Sequence, residues 1–159
     1  MSVVTLQDLR SLLRPGQRLL GLDLGEKTIG LALSDTLLTV ATPFKTLKRG
    51  KLKADAAILA GLSVEHGVGG LIVGLPLNMD GSDGPSAQSA RAFARNFSEI
   101  NPIPLVMVDE RLSTAAVTRT LIEADASRAR RGQVVDKMAA AYILQGALDR
   151  LRHGSTSAP

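Results

Sequence analysis

Three acidic settings in this 159-residue chain are candidates for shared chemistry. Asp23 lies in Gly21-Leu22-Asp23-Leu24-Gly25, inside an apolar run of strand length. A carboxylate there is costly to bury unless it is paired or binds a cation. Strand alternation puts Leu20, Leu22 and Leu24 on one face and Asp23 on the other, with Gly21 and Gly25. Two missing side chains imply open room around the carboxylate, as a metal or phosphate needs. Asp109-Glu110-Arg111 follows directly on the apolar run Leu105-Val106-Met107-Val108. Alternation alone does not decide whether Asp109 or Glu110 faces such a site; Glu110 is preferred as the ligand, with Asp109 in a supporting role. Asp136 opens a stripe with Ala139, Ala140, Ile143 and Ala147 at helical spacing. An acid in a first helical turn has a simple explanation in the helix dipole. The alanines below it add a second one, because they let the helix approach a sheet closely.

Three carboxylates from two strands and a helix are what an oxygen-ligated divalent ion, Mg²⁺ or Mn²⁺, requires. Two such ions activate a water and stabilise the leaving oxygen in phosphodiester hydrolysis. The composition removes competing chemistries. There are no cysteines, which excludes a thiol nucleophile, a disulfide scaffold and a zinc–thiolate site, and it fits a reducing cytoplasm. Two histidines, His66 and His153, are too few for a histidine-rich metal site. Aromatic residues are 3% of the chain, so single-strand binding by base stacking is poorly served.

A net charge of +4 suits a polyanionic partner. Arg128, Arg130, Arg131 and Lys137 surround Asp136 in sequence, so the site they flank favours contact with a nucleic-acid backbone. A second group, Lys45, Lys48, Arg49, Lys51 and Lys53, is equally basic but has the usual explanation of a solvated face. The glycine-rich stretch Gly74 to Gly84 has backbone N–H groups suited to phosphate, with Asn78 and Asp80 as candidate supporting or substrate contacts. An ordinary surface loop explains it as well.

The elements that must position these residues follow from the apolar pattern. A short helix is expected over 4–14, capped by Thr5 and ended by Pro15-Gly16. Strands at 18–24 and 28–34 form a hairpin, and a third extended piece covers 41–47. A helix at 53–66, a doubly buried strand at 70–74, a helix at 86–100 and a strand at 105–108 come next. A helix from Ser113 or Thr114 to Ala124, a mobile basic loop at 125–132 and a long helix at 134–151 complete the chain. The fold class is α/β: a mixed five-stranded sheet, an antiparallel meander plus two parallel strands, with helices on both faces. Residues 1–151 make one domain and 152–159 a disordered tail. No membrane span and no secretory signal are visible.

Four segments then resemble the YqgF family of pre-16S rRNA nucleases, also described as Holliday-junction-resolvase-like. They are Gly21–Gly25 continuing through Ile29-Gly30-Leu31-Ala32-Leu33-Ser34-Asp35, then Val73–Gly81, then Val108–Thr114, then Val135–Ala140. The likeness runs from about Arg18 to Leu151. It implies a ribonuclease H-like fold, a cytoplasmic location and maturation of the 5′ end of 16S ribosomal RNA. It implies acidic active-site residues at Asp23, Glu110 and Asp136. The basic residues expected to meet nucleic acid around them are Lys27, Arg111, Arg128, Arg130, Arg131 and Lys137. One departure stands out: Thr28 occupies a position where the family often has a basic residue, and Lys27 next to it keeps the charge.

Three other readings are open. An ATP-dependent enzyme of the actin and sugar-kinase superfamily shares the Asp-Leu-Gly turn, but closes two such domains over the nucleotide where this chain supplies one. A DNA-junction resolvase would use the same site on structured DNA as a homodimer, whereas an RNA-processing enzyme can act as a monomer. A non-catalytic RNA-binding module on ribosome precursors would tolerate loss of the acids.

Overall fold

The computed structural model describes residues 3–110 and 128–154, with side chains described for 3–110 and 137–152. The elements are α1 (Leu6–Leu12), β1 (Arg18–Leu24), β2 (Thr28–Ser34), β3 (Ala41–Lys48), α2 (Leu52–His66), β4 (Val68–Leu75), α3 (Pro85–Ile100), β5 (Leu105–Asp109) and a long C-terminal helix, α4 (Arg128–Gly154). The five strands form one sheet in the order β3-β2-β1-β4-β5. β1 pairs antiparallel with β2, and β2 antiparallel with β3. β4 pairs parallel with both β1 and β5. This is the mixed sheet that the hairpin and the two buried apolar runs imply.

Local chemistry sets the boundaries. The Thr5 hydroxyl accepts a hydrogen bond from the Asp8 N–H at 3.1 Å and starts α1. Gly67 ends α2 in the left-handed region, at φ 65°, where a side chain is penalised. Pro85 sits in the first turn of α3, where its missing N–H costs nothing.

Each face of the sheet has its own core. Leu19, Ile72, Val106 and Val108 pack with Ala140, Leu144 and Leu148 of α4 and Leu9 of α1. Leu20, Leu22, Leu71 and Val73 pack on the other face with Leu59 of α2 and Phe93 and Phe97 of α3. Burying Leu or Phe side chains of this kind contributes about 1.5–3 kcal/mol each. β1 and β4 lie between the two cores, which is why their apolar runs are nearly continuous.

Two expectations need correction. Residues 128–132, expected in a mobile loop, belong to the first turns of α4. Arginine and alanine are strong helix formers, and they outweigh the cost of Gly132 there, about 1 kcal/mol. Residues 152–154, expected in the tail, are still helical. The helix expected between Ser113 and Ala124 lies outside the described residues. Among the described residues, no helix is long and apolar enough to cross a membrane.

Candidate active site

Asp23 sits near the end of β1 on the face that α4 covers, as its parity with Leu19 and Gly21 requires. It is 6% exposed. Its antiparallel neighbour on β2 is Gly30. On the other side, Leu22 pairs with Val73 of β4, and the next step of that register sets Asp23 beside Gly74. Asp23 is therefore flanked by glycine in four directions: Gly21 and Gly25 along its own strand, Gly30 and Gly74 across the sheet.

The four glycines do not do the same thing. A Cβ on Gly21 would lie 2.8 Å from the Leu144 Cβ and 2.9 Å from the Ala140 carbonyl oxygen. Gly21 is thus where the backbone of α4 comes down onto the sheet, and the room expected there for a ligand is filled by the helix. A Cβ on Gly74 would lie 2.5 Å from the Ile143 Cδ1 and 3.1 Å from the Glu110 Oε2. The missing side chain at Gly74 is the space that the Glu110 carboxylate occupies.

Glu110 follows β5 and is 5% exposed. Asp109 pairs with Leu75 and has the parity of Leu105 and Met107, which face α2 and α3. The choice that sequence alternation leaves open is settled by this parity: Glu110, not Asp109, shares the face of Asp23. Its carboxylate lies over the strand next to β1, and neighbouring strands are about 5 Å apart. Two carboxylates buried so close together are stable only where a cation or several hydrogen-bond donors offset their desolvation and repulsion. Both stand at the carboxyl edge of parallel strands β1, β4 and β5, where open α/β sheets bind ligands.

Asp136 lies on α4 one turn before Ala140, the residue whose carbonyl faces Gly21. Its side chain is outside the described residues. No group of three or more acidic or histidine side chains suited to a metal occurs among the described residues, which include two of the three expected acids. Lys137, the next residue, is half-buried. Arg128, Arg130 and Arg131 lie on the first turns of α4, with side chains outside the described residues, and Arg111 is outside them altogether.

The loop after β4 is organised by its own polar groups. Asn78 accepts the Gly81 N–H at its carbonyl, 2.8 Å away, and Gly81 has φ 89°. Asp80 accepts both the N–H and the hydroxyl of Ser82, at 2.9 and 2.6 Å. The Asn78 amide donates to the Ser82 Oγ at 3.0 Å. Asn78 and Asp80, expected as supporting or substrate contacts, thus hold the shape of an exposed turn at the site's edge.

Lys27 is exposed in the β1–β2 turn, and its carbonyl accepts the Arg49 N–H at 2.8 Å. The Arg49 guanidinium donates to the Gly25 carbonyl at 2.7 Å and to the Ser89 hydroxyl of α3 at 3.3 Å. In the sequence Arg49 reads as one more surface cation. It fixes the turn two residues beyond Asp23, a role set by contacts distant in sequence. Lys45 and Lys48 belong to β3, an edge strand, where lysines block pairing with other chains.

Comparisons with known proteins agree with this architecture. The family profile described as "RuvX: Holliday junction resolvase" matches residues 17–150. A protein of Paramagnetospirillum magneticum, provisionally named a pre-16S rRNA nuclease, is 58% identical over 149 residues, covering 94% of this chain and 96% of that one. A Methylocella silvestris protein with the same provisional name is 57% identical over 150 residues, covering 94% and 93%. Among solved structures, Thermus thermophilus RuvC in complex with a Holliday junction substrate aligns with a TM-score of 0.54 at 13% identity, covering 87% of this chain and 97% of that one. That likeness shows the shared fold. With the profile spanning Asp23 on β1, Glu110 after β5 and nearly all of α4, the chain belongs to the RuvX family, also known as YqgF.

Proposed function

We propose that this protein is a divalent-metal-dependent nuclease that processes the 5′ end of pre-16S rRNA in the cytoplasm, with Asp23, Glu110 and Asp136 as its metal ligands. One observation carries the reading: two buried carboxylates, Asp23 and Glu110, share one face at the carboxyl edge of the parallel strands, with Gly74 vacating the space between. The relatives' shared name supports RNA as substrate. The working unit is a single domain that includes the C-terminal helix to Gly154.

The donor set fits the ion. Carboxylate oxygens alone suit Mg²⁺ or Mn²⁺ rather than a softer metal. When bound, such ions supply an activated water and stabilise the leaving oxygen of a phosphodiester. The chain supplies the rest. Asp23 on β1 and Glu110 directly after β5 hold their carboxylates on a sheet packed from both sides, so little reorganisation is needed. Arg111, Arg128, Arg130, Arg131, Lys137 and Lys27 seat the flanking phosphates.

A second reading, cleavage of a four-way DNA junction, is favoured by the description of the family profile. One assay separates the two. Purified protein is incubated with precursor rRNA fragments and, separately, with a four-way DNA junction, in Mg²⁺, Mn²⁺ or EDTA. Cleavage of the rRNA near its 5′ end, abolished by EDTA and by Asp23→Asn with the thermal midpoint unchanged, is the expected result. A mutant that cuts as well as the parent removes the site assignment. Symmetric cutting of the junction with the rRNA left intact replaces the RNA reading by the DNA one.

A further inference from the structure

The end of the sheet opposite the carboxylates carries a second feature. The approach to β1, the exit from β2 and the last turns of α4 border an open groove of about 600 Å³. Leu13, Leu37, Leu38 and Leu151 give it an apolar floor, and Arg10, Arg14 and Arg152 stand around it. Among the described residues no carboxylate lines it. Among the described residues Arg10 and Arg14 make no ion pair, while Arg152 reaches Asp149 at 2.7 Å. Leu37 is 80% exposed.

The loop that presents Leu37 is built to stay in place. The Asp35 carboxylate accepts the N–H groups of Thr39 and Val40, at 2.7 and 3.0 Å, and the Thr39 hydroxyl. The Gln145 side chain of α4 accepts the Ala41 N–H at 2.9 Å and donates to the Thr39 carbonyl at 3.0 Å. Leu38 is held at φ 59°, a conformation that bulky residues rarely adopt. A leucine held in water beside Arg10 and Arg14, which make no ion pair among the described residues, is the pattern of a docking point rather than of a solvated loop.

We infer that this pole is a docking surface for an acidic protein segment anchored by a leucine-type side chain. The lining decides the partner's chemistry. Guanidinium groups pair with carboxylates in bidentate fashion, and the leucines between them take up an apolar anchor. A sugar–phosphate backbone would satisfy the arginines but leave the leucines covered by polar groups. The surface begins where β1 begins, five residues from Asp23, about 17 Å along the strand. A partner bound there leaves the carboxylate edge open.

The full chain is titrated with a synthetic helical peptide bearing glutamates and two leucines one turn apart. A lysine-for-glutamate version of the peptide and a short RNA duplex serve as controls, with binding followed by fluorescence anisotropy and amide chemical shifts. The acidic peptide is expected to shift the amides of Arg14, Gly16, Gln17 and residues 36–38. The double variant Arg14→Glu/Leu37→Asp is expected to bind it at least tenfold more weakly, with thermal midpoint and rRNA cleavage as in the parent. Equal binding of the lysine peptide, shifts elsewhere, or no binding overturns the inference. So does displacement of the acidic peptide by the duplex at these amides, which would make the pole a nucleic-acid contact. A chain ending at Gly154 that binds the peptide more than tenfold tighter would show that residues 155–159 are the natural occupant, and would also overturn it.

Discussion

At the scale of single residues the site depends on side chains that are missing. Gly74 is the sharpest case, because a methyl group there meets both the Ile143 Cδ1 and the Glu110 carboxylate. In Gly74→Ala, Ile143 can rotate away but Glu110 is pushed off its seat. We expect Mg²⁺-dependent cleavage to fall at least tenfold, with a stability loss of about 1–3 kcal/mol from overpacking. Metal titration calorimetry together with a denaturation curve checks both halves. Gly21→Ala should behave in the opposite way. Its new Cβ meets the backbone and Cβ of α4, which cannot rotate away, so the main effect is on stability and the thermal midpoint drops by several degrees. Two of the four glycines around Asp23 are legible from the motif itself. Gly30 and Gly74 acquire meaning only from the register of β1 with its neighbours, which no local spacing encodes. The same holds for Glu110 against Asp109: strand parity decides between them, but only once the last paired residue of β5 is known. Glu110→Gln should therefore abolish cleavage, whereas Asp109→Asn should retain most of it, as turnover measured at saturating substrate will show.

At the scale of elements, the strands and helices were largely readable because apolar periodicity and Gly or Pro punctuation mark them. The start of α4 was not. Its charged first turns lack an apolar stripe, so the pattern there reads as loop although the residue propensities read as helix. The clasp between β2 and β3 was also invisible, since Asp35, Thr39 and Gln145 look like ordinary polar residues until α4 is docked. That clasp has a pH signature. Burial alone would raise the Asp35 pKa, but the Thr39 hydroxyl and the N–H groups of Val40 and Thr39 outweigh it and hold it down, from 3.8 to about 2. A depressed carboxylate pKa adds stability that is fully present above the unfolded value, near 4. It is lost as pH falls through the folded value, near 2. The difference in urea midpoint between the parent and Asp35→Asn should be constant above about pH 5 and shrink between pH 4 and pH 2. A difference that stays constant down to pH 2.5 would show that Asp35 is not held ionised by the clasp.

At the scale of the whole molecule, the net charge of +4 is spread unevenly along the chain, and its placement decides how nucleic acid is met. With aromatics at 3%, base stacking has little to contribute, so affinity rests on phosphate contacts and must fall steeply with salt. Lys27 at the β1–β2 turn and Lys137 on α4 lie beside the strand and the helix that carry Asp23 and Asp136. Lys48 and Lys45 are on the edge strand, and Lys45 is held over the Phe44 ring at 4.9 Å. On the proposed reading this separates phosphate-seating cations from those on the sheet edge, although both groups look alike in the sequence. The logarithm of the RNA affinity, measured in EDTA so that no cleavage intervenes, should fall linearly with the logarithm of salt concentration. Lys27→Ala and Lys137→Ala should each weaken binding and flatten the slope by about 1, the signature of one lost phosphate contact. Lys45→Ala should leave the slope where it was and slightly increase self-association, because an edge-strand lysine that discourages strand pairing has gone. If instead Lys45→Ala flattens the slope and Lys137→Ala does not, the RNA crosses the sheet edge rather than the carboxylate face, and the phosphate-seating residues have to be sought on β3.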